Sequence, residues 1–316
     1  MSRITFIGLA EMVLGEEQRP LSPEEIWEIA RDRGHDQLVG SEGKTPWKTI
    51  AAQLYVDVRD NPNSIFAKTN TRPRRFYLRS FASKFKEDEL GPEVVAISEK
   101  PILGYVEKDL HPFLVYYGFN FLRAYLKTIE HSRSKKTEFG EWVHPDLVGC
   151  YFAFTDWNDE VVEVSSAIGN VALKFYSFEL KRGLTFGNLR EAFFQAVSNS
   201  SWANEGYLAA AEISNDEDLL GELQRLSSSF GVGIIRIDIE DPDSTEVLIP
   251  ARLKEAIDWE TVNKLASLNR DFSEFLTRVK NDLNSREIRR EKYDQIHDRD
   301  YLLRWTERQG ERAQGP

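Results

Sequence analysis

Two short motifs on apolar, strand-like runs constrain this chain more than anything else in it. Pro145-Asp146 opens one run, and Phe178-Glu179-Leu180-Lys181 closes another. Side chains in a strand alternate faces with period two, so Glu179 and Lys181 point the same way. Two carboxylates and an ammonium drawn together are what metal-dependent phosphodiester hydrolysis needs. The carboxylates hold Mg²⁺, and the lysine orients or activates water and stabilises developing negative charge.

The totals set the frame. The chain has 316 residues, 41% of them hydrophobic and 29% charged, which gives room for two domains with cores of their own. No apolar run approaches the roughly 20 residues needed to cross a bilayer, so no membrane partner is expected. Met1-Ser2-Arg3-Ile4 lacks the basic and apolar regions of a signal peptide. Cys150 is the only cysteine, which excludes an internal disulfide, and its apolar surroundings predict a buried thiol rather than a nucleophile. These features together predict a cytoplasmic protein. The net charge of −11 argues against a general nucleic-acid coat, but charge is unevenly spread. Arg59, Lys68, Arg72, Arg74, Arg75, Arg79, Lys84 and Lys86 fall in one stretch opposed only by Asp60.

Residues 4–79 read as a helical module ending in a strand pair. Ile4 to Leu14 is apolar and helical. Ser22-Pro23-Glu24-Glu25 is a capping sequence for a second helix, with Ile26, Trp27, Ile29 and Ala30 on its apolar face and Gly34 at its end. Thr45-Pro46 opens a third helix carrying Ile50, Ala51, Leu54 and Tyr55. Residues 64–66 and 75–78 read as strands around the polar turn Thr69-Asn70-Thr71-Arg72-Pro73. Three helices and a hairpin make a winged-helix arrangement.

Pro20-Leu21-Ser22, Gly43-Lys44-Thr45-Pro46, Thr49-Ile50, Leu54-Tyr55 and Phe76-Tyr77-Leu78 resemble the HARE-HTH family, winged helix-turn-helix domains of bacterial restriction proteins and eukaryotic chromatin proteins. The resemblance spans residues 1–80 and implies DNA binding, with sensing of modified DNA as a variant of it. In such a module the third helix reads the major groove and the wing meets phosphate. Lys44, Thr45, Lys48 and Gln53 are the helix candidates, and Arg72, Arg74 and Arg75 the wing candidates.

Residues 81–102 read as a charged linker holding Gly91-Pro92. Leu103 to Ile129 is rich in aromatic residues and reads as one buried helix. Strands are expected at 146–154, 161–165 and 173–181, then a helix at 188–203, a strand at 207–213, a helix at 216–230 and a strand at 233–239. This gives a mixed α/β layer over 103–255. Residues 256–308 read as a helical segment with Leu265, Leu268, Phe272, Phe275 and Leu276 as its stripe, and 309–316 as a disordered tail.

The order helix, Pro-Asp strand, Glu-x-Lys strand, helix, strand resembles the PD-(D/E)xK nuclease superfamily. Residues 142–149, 177–181 and 194–203 (the last reading Phe-Gln-Ala-Val-Ser-Asn-Ser-Ser-Trp-Ala) further resemble the HrgA-like family of bacterial restriction-associated proteins. The resemblance implies a bacterial restriction-type endonuclease acting on double-stranded DNA as a homodimer, with RNA left open. It also implies Mg²⁺ as cofactor, with Mn²⁺ as its substitute. Asp146, Glu179 and the Leu180 carbonyl are the expected metal ligands, Lys181 positions the water, and Gln195 orients Lys181, the water or a phosphate. Ser198 and Asn199 are further candidates for phosphate or base contacts. The superfamily's first-helix glutamate has no clear counterpart; Glu130 is the candidate, with Glu138 and Glu141 as substitutes. His144 reads as structural. The competing reading is a DNA-binding regulator that keeps the nuclease fold without activity.

Overall fold

In the computed structural model the described residues are 4–39, 46–61, 63–69, 74–85, 90, 104–130, 144–168, 173–214 and 216–313. The chain divides into two compact units, Met1–Ser98 and Glu99–Pro316.

The first unit is a winged helix. It comprises α1 (Phe6–Glu17), α2 (Pro23–Asp32), a four-residue α3 (Asp36–Val39) and α4 (Pro46–Asp60). The hairpin β1 (Phe66–Lys68) and β2 (Phe76–Leu78) completes it. The starts of the first two helices follow from local chemistry. Thr5 Oγ1 accepts the Gly8 amide at 3.1 Å, and Ser22 and Glu25 form a reciprocal box, with the Ser22 amide donating to Glu25 at 2.7 Å. Leu21 pairs with Phe76 as an isolated bridge, tying the chain before α2 to the wing. Leu9, Val13, Leu14, Ile26, Ala30, Ile50, Leu54, Phe66 and Phe76 form the core.

The second unit is built on one six-stranded sheet in the order β3-β4-β5-β6-β7-β8. Its elements are α5 (His111–Phe121), β3 (Tyr125–Thr128), β4 (Leu147–Phe152), α6 (Asp159–Ala167), β5 (Leu173–Leu184) and α7 (Leu189–Asn199). After these come β6 (Glu205–Ile213), α8 (Glu217–Phe230), β7 (Gly233–Arg236), β8 (Glu246–Ile249), α9 (Trp259–Leu268), α10 (Arg270–Ser285) and α11 (Arg299–Ala313). β3, β4 and β5 form an antiparallel meander, β5–β6 and β6–β7 are parallel, and β8 closes antiparallel on β7.

Four expectations from the sequence need correction. The apolar run 103–129 is a helix and a strand. Arg123, at φ 55°, takes the left-handed conformation and turns the chain back. Gly118 makes that return tight, because a Cβ there would overlap Leu126 Cδ1. The stretch 161–165 is helical, not a strand. Asp159 and Glu160 suit the positive end of a helix, and Val162 and Ser165, three apart, are its buried positions. The C-terminal helical segment is three helices. Asn269 is extended and caps α10 by accepting the amides of Asp271 and Phe272. Strand β8 is an addition the sequence reading lacked.

Period two along β5 decides what the site looks like. Tyr176, Phe178 and Leu180 pack on one face with Phe113 and Leu114 of α5. Phe175 packs on the other, with Trp202 and with Phe272 of α10. Glu179 belongs to this second, covered face, which explains its burial.

Candidate active site

β4 and β5 pair antiparallel with Leu147 opposite Phe178, so Asp146 and Glu179 fall side by side just beyond the start of β4. The Leu180 amide donates to Asp146 Oδ2 at 2.7 Å, fixing the aspartate against β5. Lys181 Nζ donates to Glu179 Oε1 at 2.8 Å and to the Leu180 carbonyl at 3.1 Å. The second Glu179 oxygen accepts Asn199 Nδ2 at 2.9 Å. Glu179 is 1% exposed and Lys181 19%, so the ammonium forms the outer edge of the cluster.

Burial pushes the Glu179 carboxyl up to about 7, and the Asp146 charge adds to the rise; the Lys181 charge and the bonds from Lys181 and Asn199 oppose it. Burial pulls Lys181 down, but Glu179 and its hydrogen bond, then Asp146 and Glu107, outweigh it and raise the ammonium's pKa. Two acids share a small volume with one compensating cation, which is a local demand for positive charge.

The neighbourhood holds two groups that the sequence reading passed over. His111 opens α5, and its Nδ1 lies 2.9 Å from Thr128 Oγ1. Thr128 Oγ1 donates its only proton to Asp294 Oδ2 at 2.5 Å, so His111 Nδ1 must be the donor in its own contact. Burial lowers the His111 pKa against the charges of Asp146, Asp294 and Glu130. Glu107 lies in the 3₁₀ turn Glu107–Leu110 just before α5, and its charge is felt by Lys181. The sequence marks this turn only as a helix start: Glu107 and Asp109 precede His111-Pro112, where acids are favoured.

The remaining candidates fall as follows. Glu130 lies just past β3; its amide donates to Asp271 at 3.1 Å and its carboxylate faces Lys108 at 3.5 Å. Gln195 is half-buried on α7, one turn before Asn199, and its side chain forms no hydrogen bond among the described residues. Ser198 is exposed on the same helix. Asn199 is 2% exposed and turned inward, so its partners are protein groups rather than DNA. His144 is buried, with Nε2 donating to the Leu265 carbonyl at 3.0 Å, a structural placement. Cys150 is fully buried, and burial raises its pKa. Glu138 and Glu141 lie outside the described residues. Among the described residues no group of three or more His, Cys, Asp or Glu is arranged to hold a metal ion.

In the first unit Gln53 is half-buried on α4. Lys44, Thr45 and Arg72 lie outside the described residues, as does the Lys48 side chain. Arg74 is half-buried beside the wing strand. Arg75 is engaged internally: Nη1 donates to the Pro20 carbonyl at 3.2 Å and pairs with Glu25 at 2.9 Å.

Residues 4–81 match the HARE-HTH family, the helix-turn-helix domain of ASXL and restriction endonuclease proteins. This part of the chain is therefore a HARE-HTH winged helix, a fold associated with DNA binding. No curated protein and no solved structure matches the chain. Among the described residues no helix is long and apolar enough to cross a membrane.

Proposed function

We propose that the protein is a restriction-type endonuclease that hydrolyses phosphodiester bonds of double-stranded DNA with Mg²⁺, its HARE-HTH domain reading the DNA or a base modification. The observation that carries this reading is the cluster of Asp146, Glu179 and Lys181, joined through the Leu180 amide and carbonyl on adjacent antiparallel strands. The order α5-β3-β4-α6-β5-α7-β6, with β6 parallel to β5, supports it, because apart from the added β3 and α6 it follows the order the PD-(D/E)xK resemblance implies.

The donor set fits the cation. Asp146, Glu179 and the Leu180 carbonyl are hard oxygen ligands, and Mg²⁺ is commonly held by one or two carboxylates, with water and substrate phosphate completing its shell. When bound, Mg²⁺ would polarise the phosphoryl group and lower the pKa of a coordinated water. Lys181, fixed by Glu179 and the Leu180 carbonyl, holds the attacking water in line and offsets charge growing on the phosphoryl oxygens. Glu179, buried and bonded from both sides, keeps one orientation.

A second reading is a DNA-binding regulator without catalysis. What favours it is that the described residues bring two acids together rather than three. Cleavage of a panel of unmodified and cytosine-modified phage DNAs, with and without Mg²⁺, separates the two. We expect Mg²⁺-dependent cutting that Asp146→Ala and Lys181→Ala abolish while DNA binding persists. Full activity in either variant would falsify the assignment. Cutting both strands with one site per chain calls for a homodimer, which size measurement in solution tests.

A further inference from the structure

We propose that Asn199 is a positioning residue that sets the spacing of Asp146 and Glu179 for a divalent cation; this rests on the nuclease reading above. Asn199 is the last residue of α7, and its Nδ2 donates to Glu179 Oε2 at 2.9 Å and to the His144 carbonyl at 3.1 Å. One amide group thus grips one acid directly and, through the backbone of His144-Pro145-Asp146, the strand entrance that carries the other. The grip is itself anchored. The Asn199 carbonyl accepts Ser177 Oγ at 3.0 Å and Trp202 Nε1 at 2.9 Å, while the His144 ring is tied to Leu265. Asn199, His144 and Glu179 are each no more than 2% exposed, so water does not compete for these bonds.

The amide's orientation is fixed by its partners. Both are acceptors, so the nitrogen must face them, and a flipped amide would set oxygen against a carboxylate and a carbonyl. The consequence is an oxygen, Asn199 Oδ1, that is buried and without a hydrogen-bond partner. Leaving a buried acceptor unpaired costs about 1–3 kcal/mol. An apolar side chain would remove that oxygen but would leave Glu179 Oε2 and the His144 carbonyl without this donor, so the asparagine trades one unpaired oxygen for two bonds that fix Glu179 and the strand entrance. Groups that orient metal ligands from behind commonly change metal affinity about 10–100-fold when removed.

The test is titration calorimetry of the full chain with Mn²⁺ alone, after chelator treatment and without DNA, on wild type, Asn199→Leu and Asn199→Ala. Asn199→Leu removes both the grip and the unpaired oxygen while keeping the same branching of the side chain. We expect it to fold with lower thermal stability, because Glu179 and the His144 carbonyl lose this donor, and to bind Mn²⁺ at least about tenfold more weakly than wild type. A folded variant with wild-type Mn²⁺ affinity would overturn the role of Asn199 while leaving the nuclease reading in place. A wild-type chain that binds no Mn²⁺ would overturn both. Should neither variant fold, the side-chain amide resonances of Asn199 in wild type decide. Movement on adding Mg²⁺ supports the proposal, and unmoved resonances overturn it.

Discussion

Glu179 is the buried acid of the cluster, and its surroundings make it measurable. Its carboxyl is raised from 4.5 to about 7 by burial and by Asp146. Between those values the folded chain binds more protons than the unfolded one. The stability from this group is therefore complete below pH 4.5 and is lost as pH climbs through 7. Thermal unfolding of wild type against Glu179→Gln should show this: the falling limb belongs to wild type and is absent from the variant, and on the nuclease reading Mg²⁺ should flatten it by taking the proton's place. Parallel pH profiles for the two proteins would count against the shift. Arg75 invites a different comparison. It is spent on Glu25 and the Pro20 carbonyl, so Arg75→Ala should destabilise the winged helix by about 0.5–1.5 kcal/mol in denaturant unfolding. A loss of DNA affinity with no loss of stability would show that its free edge matters more than its internal bonds.

At the level of elements, the packing of α5 on β3 depends on Gly118. A methyl group there would collide with Leu126 Cδ1, so Gly118→Ala should cost about 1–3 kcal/mol, read by chemical denaturation. An unchanged midpoint would mean that helix and strand separate without strain. The same contact explains what was hard to read from the sequence. A run as apolar as 103–129 carries no periodicity that separates helix from strand, and the break rests on Arg123 in a conformation its residue type does not announce. Residues 161–165 misled for the opposite reason. Their valines suit a strand, yet Val161 and Val164 are exposed, at 50% and 63%, and the acids ahead of them decide for a helix. The paired motifs were legible because period two survives burial: Glu179 and Lys181 face one another, as their spacing requires. Glu107, His111 and the inward turn of Asn199 were not, since each reaches the cluster through tertiary packing rather than local pattern.

Across the whole molecule, charge and chemistry sit at different addresses. The chain carries −11 net, yet the basic stretch between Arg59 and Lys86 belongs to the first unit and the acids of the cluster to the second. Arg72→Ala with Arg74→Ala should therefore lower DNA affinity and flatten its dependence on salt, whereas Asp146→Ala should leave that slope untouched. Equal slopes in wild type and the wing variant would assign the electrostatics elsewhere. The parallel pairing of β5 with β6 has a consequence in time. The parallel partner β6 is reached only through the crossover by α7, which must fold back before the two strands pair. Asn199 ends that crossover, twenty residues after the glutamate it grips. Pairing of β4 with β5 brings the two acids together, but Glu179 acquires its second bond only when α7 docks. The bond from Asn199 therefore needs α7 in place as well as the β4–β5 pair, so the acids can be adjacent before their geometry is complete.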